Sequence, residues 1–333
     1  MSDLQHDPPN KAETTPIYQP DAATAALLKR MAESNAPSYA DYTPEEARAA
    51  MLQAGKIADI EPPHIEQVAD MTIPGPAGEI AVRIYEPNPE AGGMGLRPCC
   101  LFFHGGGFVI GDLNSHDTIA RSMAIGGDCM VVAVDYRLAP EHPYPAAVED
   151  ALAAWNWLVA EGGTINVDTT RLAVCGDSAG ATLSAIITQT ARDAGTPLRA
   201  QVLYYPLLDM AGDYPSYHEH AETPPISKEV LAYFWKHYLG PDADDLDMSH
   251  PWLSPIRAQS LEQLPPAFIM TSGLDPLRDE GKAYADALAQ AGGHVVYHCE
   301  AGTIHGVLRM GKLIPAVKSI LDAGSKFLRT HIH

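Results

Sequence analysis

The residues Gly176-Asp177-Ser178-Ala179-Gly180 constrain this chain more than any others, because they join an apolar run to a helical one. Leu172-Ala173-Val174-Cys175 reads as a buried strand, and Leu183, Ile186, Ile187 and Thr190 recur at i, i+3, i+4, i+7 on one helical face. A serine between the two sits on so tight a turn that its backbone is strained and its hydroxyl is held out beyond the sheet edge. Glycines two positions either side fit because a Cβ there would meet the neighbouring strand or helix. The pattern predicts a nucleophile at Ser178.

Upstream, Leu101-Phe102-Phe103 runs into His104-Gly105-Gly106-Gly107-Phe108. Three glycines leaving a strand expose backbone N–H groups with no side chain in front, which suits the oxyanion of a tetrahedral intermediate. Two of them, with the N–H of Ala179 after the nucleophile, can converge on one oxygen. A phosphate cradle fits worse: the next glycine, Gly111, misses the dinucleotide spacing, and no Gly-Lys here is followed by Ser or Thr.

An acid and a histidine are expected at later strand ends, in that order. Pro266 to Thr271 reads as a buried strand, and Asp275 lies in the loop that leaves it. Asp279 and Asp286 fall in the following helix and are expected in solvent. The strand from His294 to Glu300 opens with one histidine and contains another, His298, but only His305 lies beyond its end.

Together, His104-Gly105-Gly106-Gly107, Gly176 to Gly180, Asp275-Pro276-Leu277-Arg278-Asp279 and His305-Gly306 resemble the hormone-sensitive lipase family of α/β-hydrolases, in its bacterial esterase branch. Asp135 to Glu141, followed by Pro143-Tyr144-Pro145-Ala146, matches a further block of that family, and the resemblance runs over about residues 60 to 330. It implies a mostly parallel twisted sheet flanked by helices, a helical cap, and carboxylesterase activity on small-molecule esters of short acyl chains. No cofactor and no metal are implied. By position, Ser178 is the nucleophile, His305 the general base and acid, and Asp275 the orienting carboxylate. Gly105, Gly106 and Ala179 are the expected oxyanion donors, with the choice among Gly105, Gly106 and Gly107 left open by sequence. His305 precedes Gly-Val rather than the commoner Gly-Phe. An amidase, lactonase or carbamate hydrolase would use the same triad. A non-catalytic ligand receptor on this fold, as in plant gibberellin receptors, would lack the histidine that this chain keeps at His305.

Composition narrows the setting. The net charge of −20 weighs against nucleic acid and anionic membranes as partners. No stretch is long and apolar enough to predict a membrane span, and Met1 to Asp7 has neither the basic nor the apolar region of a signal peptide. Five cysteines without a C-x-x-C spacing point to a reducing, cytoplasmic compartment. His218-Glu219-His220 lacks the helical spacing of a zinc site. A homodimer is compatible with such a chain.

Residues 1–20 are polar and proline-rich, and Gly92-Gly93-Met94-Gly95 reads as a loop. Asp21 to Glu33 carries Thr24, Leu27, Leu28 and Met31 on one face, and Thr43-Pro44-Glu45-Glu46 is a capping box opening a second helix. These helices cannot bury their stripes alone, so residues 1–55 are expected to form the first part of the cap. Residues 56–207 begin the catalytic domain with a hairpin through Pro74-Gly75-Pro76 and then alternate strand with helix. The alternation breaks at residues 208–250, read as the second part of the cap, whose helix from Ser227 to Leu239 is rich in aromatics. Residues 251–333 complete the catalytic domain. Tyr136, Arg137 and Glu141 are expected to fix the loop under the glycines, and Asp177 to act as a structural hydrogen-bonding residue.

Overall fold

A computed structural model describes residues 18–34, 36–88 and 95–333. Most of the proline-rich start and Gly92 to Met94 lie outside the described residues. The elements run α1 (Ala22–Ser34), α2 (Pro44–Ala58), β1 (Gln67–Gly75), β2 (Gly78–Glu86), β3 (Arg97–Phe103), α3 (Asp117–Gly127), β4 (Met130–Asp135), α4 (Ala146–Glu161) and β5 (Val167–Asp177). They continue with α5 (Ala179–Asp193), β6 (Ala200–Tyr204), α6 (Pro215–Glu219), α7 (Lys228–Leu239), β7 (Ala267–Leu274), α8 (Arg278–Gln290), β8 (Val295–Ile304) and α9 (Ala316–Ile332).

The strands form one sheet in the order β1-β2-β4-β3-β5-β6-β7-β8. Strands β3 to β8 pair in parallel, while β2 runs antiparallel to both β1 and β4. Parallel strands need long crossovers, and those crossovers are the helices that cover both faces. Alternate residues of one strand therefore enter different cores. Leu101 and Phe103 of β3 pack with Leu172, Val174 and the helix residues Leu183 and Ile187, whereas Cys100 and Phe102 pack on the opposite face with Met123 and Leu328.

Local chemistry sets several boundaries. Thr43 accepts from the Glu46 N–H while the Glu46 carboxylate accepts from the Thr43 N–H at 2.9 Å, so both halves of the capping box form. Ser227 caps α7 by accepting from Val230 at 3.2 Å. Helix α5 departs from the simple stripe expected of it. Ala179 to Gln189 is buried on every side, because the helix lies between α4 and the sheet.

Two parts of the chain lie outside the alternation of strand and helix. The N-terminal helices precede β1, and α6 and α7 fall between β6 and β7. The two meet where Tyr39 faces Phe234, with ring centroids 6.3 Å apart. The first segment also reaches the sheet's far edge, where the Asp21 N–H donates to Gly302 O at 3.1 Å.

Candidate active site

Strand β5 ends at Asp177 and α5 begins at Ala179, leaving Ser178 alone to make the turn at φ 51, ψ −120. Such a backbone costs about 1–3 kcal/mol and persists only where neighbours over-determine it. Here the Ser178 N–H donates to Tyr204 O at 2.9 Å, and its carbonyl accepts from Ala181 at 3.0 Å. A Cβ on Gly180 would strike the backbone of Phe103, and one on Gly176 the backbone of Gly180, so the flanking residues have room for glycine only.

Asp275 leaves the end of β7 fully buried, and His305 leaves the end of β8 with 5% exposure. Asp275 Oδ2 lies 2.7 Å from His305 Nδ1, and His305 Nε2 lies 2.9 Å from Ser178 Oγ. A carboxylate only accepts, so Nδ1 carries the proton and the Nε2 lone pair is left facing the serine hydroxyl. The Leu277 N–H holds Asp275 Oδ1 at 2.8 Å, and the Tyr205 ring packs 4.8 Å from the imidazole. The structure thus brings together the three residues expected at strand ends.

The other candidates go elsewhere. His294 stacks on Phe327 at the opposite sheet edge, and His298 pairs with Glu300 in β8. Asp286 is exposed beside Lys282. Asp279 is a correction, since it is not free in solvent. It accepts from the Ser216 N–H at 2.9 Å and from Arg278 Nε at 2.7 Å, joining α6 to α8.

The glycine turn also departs from expectation. The Gly105 N–H, expected among the oxyanion donors, is turned away from the serine and donates to Asp177 Oδ1 at 2.9 Å. Among the described residues the N–H groups of Gly106, Gly107 and Ala179 have no acceptor. Ala179 is also the first residue of α5, so its N–H stands at the positive end of that helix. Sequence alone does not separate Gly105 from Gly107. Only the partner of the Gly105 N–H, 72 positions along the chain, does so.

Behind the turn lies a buried polar cluster. Asp177 Oδ2 accepts from the Tyr205 hydroxyl at 3.3 Å and stands 3.5 Å from His116 Nε2. Burial pushes the Asp177 carboxyl up, but His116, His104 and the Gly105 N–H outweigh it and hold the group below its usual range. His104 is held down at about 4, by burial first and by His116 second, so it is neutral near pH 7. His104 Nδ1 donates to Gly105 O at 2.8 Å, its ring stacks on Tyr136 at 4.3 Å, and the Tyr136 hydroxyl donates to His104 O at 2.6 Å. His116 packs against the Asp177 carboxylate, with its Nδ1 3.0 Å from the Ser115 hydroxyl. No sequence pattern marks His116, because its contact with Asp177 joins distant parts of the chain and is made only by the fold.

Arg137 binds Asp150 and Glu149, and Glu141 pairs with Arg48 of α2 at 2.6 Å. Arg48 also donates to Val109 O at 2.8 Å and Ala139 O at 2.9 Å, next to the turn.

Comparison with known proteins agrees with this architecture. A family model described as the alpha/beta hydrolase fold matches residues 100–309. The chain is 44% identical over 277 residues to esterase LipI of Mycobacterium tuberculosis, covering 82% of this chain and 85% of that protein. It is 36% identical over 259 residues to an ethyl acetate hydrolase of Pseudomonas putida, covering 76% and 79%. A solved structure of LAE6, an alpha/beta hydrolase enzyme from the metagenome of Lake Arreo, superposes with a TM-score of 0.89 at 36% identity, covering 94% of this chain and 98% of that one.

Proposed function

The chain belongs to the α/β-hydrolase fold family, in its hormone-sensitive-lipase-like branch, and is a carboxylic ester hydrolase; from that premise we propose that Ser178, His305 and Asp275 carry the reaction. The observation that supports this assignment is the continuous path from Asp275 through His305 to the Ser178 hydroxyl, at 2.7 and 2.9 Å.

Ser178 is a weak nucleophile at its own pKa, so His305 Nε2 takes its proton as Oγ attacks the ester carbonyl. Asp275 keeps the useful tautomer in place and stabilises the imidazolium that forms. The carbonyl oxygen becomes an oxyanion, and its donors are Gly106, Gly107 and Ala179. His305 next delivers the proton to the leaving alcohol, and the acyl group stays on Ser178. A water then attacks the acyl carbon while giving its proton to His305, the bond to Ser178 Oγ breaks as His305 returns that proton to it, and the acid departs. Each oxyanion donor is worth about 3 kcal/mol, or roughly a hundredfold in rate.

Residues 18–34, 36–55 and 208–250 form the two parts of a cap over the catalytic domain of residues 56–88, 95–207 and 251–333, and residues 1–17 of the expected cap lie outside the described residues. The packing of Tyr39 against Phe234 supports this division. A covered pocket favours short acyl groups, because each methylene gains about 0.8 kcal/mol only while there is room for it. The setting is cytoplasmic, a reading supported by five free cysteines, four of them buried. Among the described residues no helix is long and apolar enough to cross a membrane.

The test is a hydrolysis panel over acyl length with Ser178→Ala as the blank. The expected preference is for acyl groups of about two to six carbons. Activity that survives in Ser178→Ala would sink the nucleophile, and preferred hydrolysis of long-chain triglyceride emulsions would sink the covered pocket.

A further inference from the structure

Three consecutive residues of the glycine turn have left-handed backbones: Gly106 at φ 122, Gly107 at φ 61 and Phe108 at φ 62. Two of them are glycines and adopt this freely. Phe108 does not, because a bulky side chain in this region is an outlier that survives only where its surroundings hold it. The question is what holds it.

The support comes from outside the sheet. Phe234 and Tyr238 lie one helical turn apart on α7, so they share a face. The Phe234 ring covers Gly107 so closely that a Cβ on that glycine would collide with it. The Tyr238 ring stacks on Phe108, with centroids 3.9 Å apart and planes 15° from parallel. Phe108, Phe234 and Tyr238 are all buried, at 2%, 4% and 1% exposure. Among the described residues the Tyr238 hydroxyl has no hydrogen-bond partner, so the contact is made by the ring. The opposite side of the turn is tied down by Ala139, whose N–H donates to Phe108 O at 2.9 Å.

We infer that Phe234 and Tyr238 are positioning residues for the oxyanion donors, aiming the Gly106 and Gly107 N–H groups by gripping Gly107 and Phe108. This rests on the donor assignment made above. It means that α7 does more than enclose substrate. Its seating is a condition for stabilising the transition state.

The test compares Tyr238→Leu, Phe234→Leu and Tyr238→Phe, with kcat expressed per serine titrated to completion by a fluorophosphonate. Either leucine variant is expected to lose roughly 10- to 100-fold in kcat, with KM changed by less than about threefold. Affinity for a trifluoromethyl ketone, which forms a tetrahedral adduct with the serine, is expected to fall by a similar factor. The pH profile of kcat/KM should not move, because the triad is untouched. Tyr238→Phe should stay within about twofold of the parent, since it keeps the ring and drops a hydroxyl without a partner. If Tyr238→Leu does not fold, Phe234→Leu carries the same readouts. Leucine variants with parental kcat per titrated serine and parental ketone affinity would overturn the inference, whatever their melting temperature. So would a Tyr238→Phe variant as impaired as Tyr238→Leu. A parent chain whose hydrolysis persists in a Ser178→Ala blank run beside it would overturn the donor assignment and this inference together, and that blank separates the case.

Discussion

Asp177 Oδ1 accepts the Gly105 N–H at 2.9 Å, so the residue before Ser178 is bonded to the first glycine of the turn that faces it. The ends of β5 and β3 are thereby fixed to each other beside Ser178 and the proposed oxyanion donors.

Asp177→Ala should therefore reduce kcat by roughly 10- to 100-fold, because the turn loses its anchor. It should also destabilise the fold by about 1–3 kcal/mol, since the buried Gly105 N–H loses its acceptor. Asp177→Asn, which keeps an acceptor for Gly105 but not the charge facing His116, should lose less kcat. Titrated turnover and urea unfolding measure the two effects. Equal turnover in Asp177→Ala and the parent would refute the anchoring role.

The two aspartates of the Asp275-Pro276-Leu277-Arg278-Asp279 segment should separate cleanly. Asp275→Asn is expected to lower kcat by about 10⁴-fold with the fold retained, because the histidine tautomer would then be wrong. Asp279→Asn should cost about 1–3 kcal/mol of stability through Ser216 and Arg278, while turnover per titrated serine stays near the parent's. Parallel turnover and melting measurements decide it, and the opposite ranking would reassign the acid.

His104 should make the fold acid-sensitive. Its folded pKa lies near 4, below the 6.5 of an exposed histidine, so the unfolded chain binds the proton more readily. The stabilisation is fully present above pH 6.5 and is lost as pH falls toward 4. It amounts to about 3 kcal/mol over the whole window. His104→Asn should flatten that part of the stability profile measured by urea unfolding. An unchanged slope in the variant would show that other groups cause the acid loss.

Glu280 should behave in the opposite sense. Burial pushes its carboxyl well above the usual range, outweighing hydrogen bonds from the Tyr217 hydroxyl and the Leu208 N–H. The neutral acid is favoured in the fold, so its contribution is complete below about pH 4.3 and declines as pH rises through the folded pKa. Glu280→Gln should therefore raise the melting temperature, and by more at pH 8 than at pH 5. A variant less stable than the parent at pH 8 would mean that the ionised carboxylate is the better partner there.

Much of this was legible in the chain itself, for identifiable reasons. Strands β3, β4, β6 and β7 are buried on both faces and read as nearly unbroken apolar runs, so the end of β7 points to Asp275, whereas β8 is only partly buried and His305 is marked by lying beyond its end. Tight backbone approach left its mark at Gly176 and Gly180. What stayed hidden depended on contacts between distant segments. Gly105 and Gly107 are neighbours of identical composition, and only the carboxylate of Asp177 distinguishes them. The setting of Asp279 is not legible in the sequence, because it arises from Ser216 of the short helix α6, which only the fold brings to it. His116 and Tyr238 fall in the same class, each meaningful only through a residue far away in sequence.

Strand order adds a last consequence. Ser178 follows β5, with four strands on one side of it and three on the other, whereas His305 follows β8, the outermost strand. Fraying begins at margins, where a strand has one neighbour instead of two. Mild heating should thus detach His305 while Ser178 is still held in the interior. Loss of turnover would precede the collapse of the sheet, and a briefly warmed sample would recover its activity on cooling with no need to refold from scratch.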